Sequence, residues 1–192
     1  ISKYIMPIIQ EGMSEDKKWR FRYLIAENIL KIISELNQEK INNYFYGIII
    51  KLFGDHAEEI RKTAWKIVEK LVDIMDKSFM ETKIWEVQKE QLKHKNYILR
   101  IAAMKSVDYL KSYYSKNFIN NVVIPHIIEN VKDDKIPNVK FSACEVLASL
   151  VLFVNKELNT KKIVEDFIKN FFNDNDEDVV FFSKKAFNEL QK

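Results

Sequence analysis

Asp55-His56-Ala57-Glu58-Glu59-Ile60-Arg61-Lys62-Thr63-Ala64 reads as a turn that becomes a helix, and versions of it recur along the chain. Aligned on Arg61, the same place is held by Arg22, Arg100, Lys140 and Val180, at nearly even intervals. One residue before each anchor is apolar: Phe21, Ile60, Leu99, Val139, Val179. Three after it is apolar or small (Ile25, Ala64, Ala103, Ala143, Ser183), and ten after it is apolar again (Ile32, Leu71, Leu110, Leu150, Leu190). Six before it stand Asp16, Asp55, His94, Asp134 and Asp174. Columns kept in register over five units are the mark of a solenoid, and a period of about 40 residues is the length of a helical pair. The predicted fold is therefore all-α, an α-α superhelix in a single array over 1–192. Its units fall at about 1–37, 38–76, 77–115, 116–156 and 157–192.

Composition agrees. Apolar residues make up 47 % of the 192, enough for a continuous core rather than a disordered chain. Only 3 Gly and 3 Pro occur, which favours long helices and short loops. Lys and Arg exceed Asp and Glu by 31 to 28, too small an excess to predict nucleic acid or a membrane as partner. The lone Cys144 has no internal disulfide partner and is expected as a small buried residue, which fits a reducing, cytoplasmic or nuclear compartment. No apolar run reaches the length of a membrane span. The sequence opens on Ile1, with helical periodicity and no initiating Met, and is expected to be a piece of a longer chain with a neighbour before unit one.

Within the units, the first helix pair is expected at about 2–13 and 18–36, with Ser14 or Asp16 capping the second helix. Its apolar set includes Phe21, Leu24, Ile25, Ile29, Ile32 and Ile33. Gly54 suits a helix C-cap with positive φ. Thr160 is a plausible cap before Lys161. Pro7 and Pro125 hold the same place ahead of their anchors, Arg22 and Lys140, which suggests a shared bend in the first helices. An Asp of a turn can pair with a column Arg of its own or an adjacent unit. Treated as exposed, such pairs contribute only about 0–1 kcal/mol each, and their expected role is to fix the rotation between units.

No catalytic constellation stands out. His56, His94 and His126 lie in three different units, and none has a second metal ligand at helical spacing. His126 is expected on a helix surface. There is no Gly-rich phosphate loop, and Glu58-Glu59 or Asp133-Asp134 read as solvated turn residues. The expectation is a non-enzyme without cofactor or metal. What remains is binding, and the candidate surface is the row of turns at 16–20, 55–59, 94–98, 133–138 and 173–178. Trp19 with Arg20 is its sharpest feature, because Trp and Arg dominate interface hot spots; Tyr97 beside Asn96 is a second anchor. The row is electrically graded, from Lys17, Lys18 and Arg20 to Asp174, Asp176, Glu177 and Asp178, which would orient a partner.

Read together, the columns resemble HEAT repeats, which makes the expected array one of five HEAT repeats. The order of the units is similar to the C-terminal repeats of the scaffold (A, 65-kDa regulatory) subunit family of protein phosphatase 2A. The residues that carry the resemblance are Glu15-Asp16-Lys17-Lys18-Trp19-Arg20-Phe21-Arg22, Asp55-His56 with Ile60-Arg61, and Asn96-Tyr97 with Arg100. Ile124-Pro125, Asn138-Val139-Lys140-Phe141, and Asp178-Val179 with Phe181-Phe182 continue it. His94-Lys95 and Val180 depart from the family pattern, where a Gly-Asp-Pro turn and a Lys are usual. The resemblance implies a non-catalytic scaffold that holds a metal-dependent serine/threonine phosphatase catalytic subunit. The implied contacts are Lys18, Trp19, Arg20, His56, Glu58, Asn96, Tyr97, Ile136, Asn138, Asp176 and Glu177. It also implies that a B-type regulatory subunit binds through earlier repeats. Three rivals are open: a HEAT adaptor gripping a peptide or helix in its concave groove, a nucleic-acid-binding repeat, and a structural spacer.

Overall fold

A computed structural model describes residues 4–14, 17–76, 78–154 and 158–192. Asp16, the first acid of the column, lies outside them. The chain is an all-α helical-repeat solenoid, and its residues group into two compact units, 1–83 and 84–192.

In the first unit, α1 (Ile5–Gly12) is followed by α2 (Trp19–Ile32), which ends in a 3₁₀ turn at Ile33–Glu35. α3 covers 38–53 as Gln38–Lys40, a π-helical turn Ile41–Phe45, and Tyr46–Phe53; α4 is Glu58–Leu71. Asn37 starts α3 by accepting the Lys40 N–H on its side chain. α4 packs against both α2 and α3. The core is Ala26, Ile29 and Ile33 from α2 and its 3₁₀ turn, Ile41, Phe45, Ile49 and Leu52 from α3, and Ile60, Ala64, Ile67, Val68 and Leu71 from α4. These positions fall at helical spacing, as the columns require.

In the second unit, α5 (Trp85–Leu92) follows a π-helical turn at Met80–Ile84 on the unit boundary. α6 is Tyr97–Leu110. α7 covers 116–131 as Lys116–Phe118, a π-helical turn Ile119–Val123, and Ile124–Val131. α8 (Pro137–Phe153), α9 (Leu158–Lys169) and α10 (Glu177–Gln191) complete it. α8 is central, packed on α6, α7, α9 and α10. It therefore buries two faces, Val139, Ala143, Leu147 and Leu150 on one and Cys144, Ala148 and Val151 on the other. Phe182 of α10 stacks on Phe141 of α8 with ring centres 4.9 Å apart.

The polar look of the third repeat has a structural reason. Gln88 is fully buried; its Nε2 donates to Ser106 Oγ at 2.9 Å, and Tyr114 Oη donates to its Oε1 at 2.6 Å. A buried amide satisfied on both ends ties α5 to α6 and to the turn that follows α6.

Several expectations change. The π turns at Ile41–Phe45, Met80–Ile84 and Ile119–Val123 stand at matching places in successive repeats, so the recurrent irregularity of the first helices is a π turn and not a proline. Pro125 sits just beyond one of them, at the start of an α-helical segment where its missing N–H costs little. α2 has Lys18 at its N-cap and no side-chain cap, so Ser14 does not serve. Thr160 is buried inside α9 rather than capping it. Gly54 caps α3 at φ −97°, which needs no glycine. Phe21 and Ile32, placed by the columns in the core, are 47 % and 42 % exposed, and Leu24 of the same apolar set is 55 % exposed, whereas Ile60 and Leu71 at the places equivalent to Phe21 and Ile32 are wholly buried in α4. α1 meets this face at Gly12, against which Phe21 and Ile25 lie, and Phe21, Leu24 and Ile32 stay partly exposed.

His126, expected on a helix surface, is half-buried on α7. Its ring meets Trp85 edge-on at 5.5 Å, and its Nε2 is buried without a hydrogen-bond partner. Burial, with Lys93 and Lys89 nearby, lowers its pKa below the ordinary histidine value.

Cys144 is fully buried, and burial pushes its thiol up to about 12. It is expected to resist a thiol reagent at pH 8 in the folded protein and to react at the free-thiol rate in denaturant. Fast labelling of the native chain would show that α8 opens locally.

Candidate protein-interaction surface

Each second helix begins at the same place relative to its anchor. Trp19, Glu58, Tyr97, Pro137 and Glu177 are the first residues of α2, α4, α6, α8 and α10, each three before Arg22, Arg61, Arg100, Lys140 and Val180. Trp19, Glu58, Tyr97 and Glu177 are exposed and Pro137 is half-buried, so this position displays a side chain in four of the five repeats.

What holds each turn in place is the column of cations. In the first unit, Arg22 Nε and Nη2 donate to the two carboxylate oxygens of Asp55, both at 2.8 Å, and its Nη1 donates to the Lys17 carbonyl. In the second unit, Arg100 does the same to Asp134 at 2.7 and 3.0 Å and clips the carbonyls of His94 and Lys95. Lys140 reaches Asp174 at 2.7 Å. Each cation thus holds its own turn by the carbonyls where it is an Arg, and the next turn by the acid. The acids also accept the N–H two residues on, at Ala57, Ile136 and Asp176, an Asx-type turn.

These pairs are mostly buried, which corrects their treatment as exposed. The side chains of Arg22 and Asp55 are 6 % and 9 % exposed. Breaking one partner of such a pair costs several times what an exposed pair contributes. Their partners lie in adjacent repeats and not in the repeat of origin.

Arg61 departs from the pattern. Its Nη1 donates to the carbonyls of Asp55 and His56, but its buried Nε has no hydrogen-bond partner. Burial lowers its pKa, opposed by Glu58 and Asp55. In the sequence, the place that corresponds to Asp55, Asp134 and Asp174 in the following repeat is His94 and not an acid. His94 keeps the local half of the acid's work: its Nδ1 accepts the Asn96 N–H at 3.0 Å.

The ladder carries a pH dependence. Burial alone would push the Asp55 carboxyl up. The hydrogen bonds from Arg22 and from the Ala57 N–H outweigh it and leave the group below its ordinary value. Lys140 holds Asp174 below the ordinary value too. A carboxyl depressed on folding binds its proton more readily when unfolded. Stability from these rungs is therefore complete above the ordinary aspartate pKa of 3.8 and is lost as pH falls through the lower folded values. The helical signal is expected to stay flat down to about pH 4 and to fall below it, less steeply in Asp55→Asn, when followed by circular dichroism.

The first unit brings together five of its sequence-identified contacts. Lys18 is the N-cap of α2 and exposed; Trp19 is 42 % exposed, and the Arg20 guanidinium lies 4.9 Å from its ring centre. Trp19, with His56, Ala57, Glu58 and Glu59, lines an open and mainly apolar cleft of about 400 Å³. His56 and Glu58 are exposed at its rim.

In the second unit, Tyr97 is 40 % exposed, and Asn96 caps α6 by accepting the Ile98 N–H on its side chain. Ile136, at the N-cap of α8, is half-buried, and Asn138 is exposed. Asp176 caps α10 by accepting the Val179 N–H, and Asp174 is held by Lys140, so these two acids of the fifth turn are structural. Glu177 and Asp178 remain exposed.

Among the described residues, no group of His, Cys, Asp and Glu is arranged to hold a metal, and no helix is long and apolar enough to cross a membrane.

Comparison with known proteins bears on the fold. No family model matches the sequence, and no curated protein does. Among solved structures, that of Cex1p is similar at TM-score 0.71 and 15 % identity, covering 97 % of this chain and 35 % of that one. This chain thus spans about a third of that protein's length. A designed armadillo repeat protein is 12 % identical at TM-score 0.43, covering 96 % of this chain and 99 % of the designed one. At such identities the likeness concerns architecture alone: this chain is similar in fold to Cex1p, a helical-repeat protein, over nearly its whole length.

Proposed function

We propose that this chain is a non-catalytic scaffold that binds a partner protein through the turns opening its second helices. The partner we propose is the catalytic subunit of a phosphatase 2A-type serine/threonine phosphatase. The observation that carries the scaffold reading is an aromatic displayed at the first position of a second helix, Trp19 in α2 and Tyr97 in α6, each on a turn whose carbonyls are held by an arginine, buried in the case of Arg22 and half-buried in that of Arg100. Rigid turns presenting exposed Trp, Arg and Tyr are the usual make-up of an interface hot spot. The identity of the partner rests on the resemblance of Lys18-Trp19-Arg20 and the following turns to the phosphatase scaffold family. A B-type regulatory subunit would then engage other repeats of the assembly, in the cytoplasm or nucleus.

The test is a titration of this chain with such a catalytic subunit, wild type beside Trp19→Ala/Arg20→Ala. Tight binding lost in the double variant, with an unchanged helical melt, supports the reading. No binding at micromolar protein removes the phosphatase and leaves the fold.

One observation favours the groove-binding adaptor instead: Phe21, Leu24 and Ile32 expose apolar surface on a second helix. If a helix docks there, Leu24→Glu abolishes binding and Trp19→Ala does not.

A further inference from the structure

The arginines of the chain are Arg20, Arg22, Arg61 and Arg100, and the last three belong to the column. Arg22 and Arg100 use both sides of the guanidinium. Nη1 grips a carbonyl oxygen of the arginine's own turn, and the opposite edge, Nε with Nη2, closes on the two oxygens of an aspartate at 2.7 to 3.0 Å. Arg61 does only the first half. Its Nη1 donates to the carbonyls of Asp55 and His56 at 2.7 and 3.1 Å. Its Nε is buried, and neither Nε nor Nη2 has a hydrogen-bond partner among the described residues. Nη2 is not sealed from solvent as Nε is. In the sequence column, the acid that follows is replaced by His94.

The acids beside Arg61 do not fill this edge. Asp55 accepts from Arg22 and from the Ala57 N–H, and Glu58 lies 3.0 Å from Lys62. Both attract Arg61 through space, but neither carboxylate hydrogen-bonds it. Arg61 is only 5 % exposed. A charged group so deep, with two donors idle, carries a desolvation penalty that its remaining hydrogen bonds offset in part. The idle edge presents two parallel N–H donors at the spacing of carboxylate oxygens, the geometry of the strong bidentate pairs.

We propose that the Nε–Nη2 edge of Arg61 is a binding site for a small carboxylate anion, held by the two parallel hydrogen bonds that Arg22 and Arg100 give to Asp55 and Asp134. The anion enters at Nη2, the nitrogen that solvent reaches, and closes on Nε. Because Nη1 of the same planar group holds the 55–56 turn, the bound anion also stiffens that turn. The site is independent of the scaffold reading and needs no partner protein.

The experiment is a titration of the isotope-labelled 192-residue chain with sodium formate, read at the arginine side-chain Nε–H resonances. Sodium chloride at equal ionic strength is the reference. The Arg61 signal is expected to move with formate and to saturate with a Kd of about 10 mM, within the limit for a ligand of so few atoms. Arg22 and Arg100 stay in place, because their edges are taken. Arg20, exposed on the Trp19 ring, responds to both salts alike. Arg61→Lys keeps the charge and loses the fork. In the wild type, about 100 mM formate raises the urea midpoint above its value in chloride, and in Arg61→Lys it does not.

An Arg61 signal unmoved at about 100 mM formate overturns the proposal, whether or not Arg61→Lys folds. So does a signal that moves equally in chloride, or one that moves together with those of Arg22 and Arg100. A stabilisation by formate that persists in Arg61→Lys puts the anion elsewhere and overturns it as well.

Discussion

Asp134→Ala is expected to destabilise the second compact unit by about 3–5 kcal/mol. The Asp134 carboxylate takes two hydrogen bonds from Arg100 and a third from the Ile136 N–H. Its side chain is 7 % exposed and that of Arg100 is 14 %. Removing it strands a guanidinium where water reaches it poorly, and it also frees the turn that opens α8. The value should lie toward the low end, because Arg100 retains some solvent and its carbonyl contacts. Asp134→Asn keeps an acceptor for Ile136 and should cost less. Arg100→Met/Asp134→Leu should recover much of the loss, since a buried ion pair replaced as a whole by apolar groups is often neutral. Urea unfolding monitored by helical signal measures all three. A loss under about 1 kcal/mol in Asp134→Ala would mean that the pair behaves as an exposed one.

In Trp19→Ala/Arg20→Ala, affinity for the partner is expected to fall at least thirtyfold, about 2 kcal/mol or more, while the unfolding midpoint stays put. The two side chains form one unit: the guanidinium stacks near the indole, and the indole walls the cleft. Their losses should therefore not add. Trp19→Ala alone should account for most of the effect, because Arg20 loses its platform with it. Stability should be unchanged because neither side chain belongs to the buried set, which on α2 is Arg22, Ala26 and Ile29. Tyr97→Ala should have a smaller effect on binding, as a single ring without a stacked cation. A double variant that also melts early would place Trp19 in the fold rather than in the interface.

The period was legible because the ladder needs particular residues. A bidentate grip takes Arg on one side and Asp on the other, and both recur at fixed offsets from the apolar columns. The exposed turn residues were legible for the same reason, since the anchor fixes where each second helix starts. Other features lacked a signal. The π turns use ordinary helical residues, Ile41-Asn42-Asn43-Tyr44-Phe45 in one case, and the extra residue leaves the apolar pattern intact on both sides. Phe21 and Ile32 read as core because their columns are core in α4, yet they are 47 % and 42 % exposed here. His94 breaks the acid column, but its imidazole keeps the local hydrogen bond, a substitution that composition cannot show. Asp174 and Asp176 look like part of a solvated acidic run, and only the geometry separates these structural acids from Glu177 and Asp178.

The recurrent π turns have a geometric consequence. A π turn packs more residues into each ångström of helix axis than an α turn does. The extra residue also turns the flanking α segments relative to one another, so converting the wide turn to α would swing the buried face of one segment away from the core. The turns at Ile41–Phe45 and Ile119–Val123 place this offset inside α3 and α7, away from the loops that carry the ladder. The facing of each first helix and the pinning of its turn are thereby set at different levels of the same hairpin.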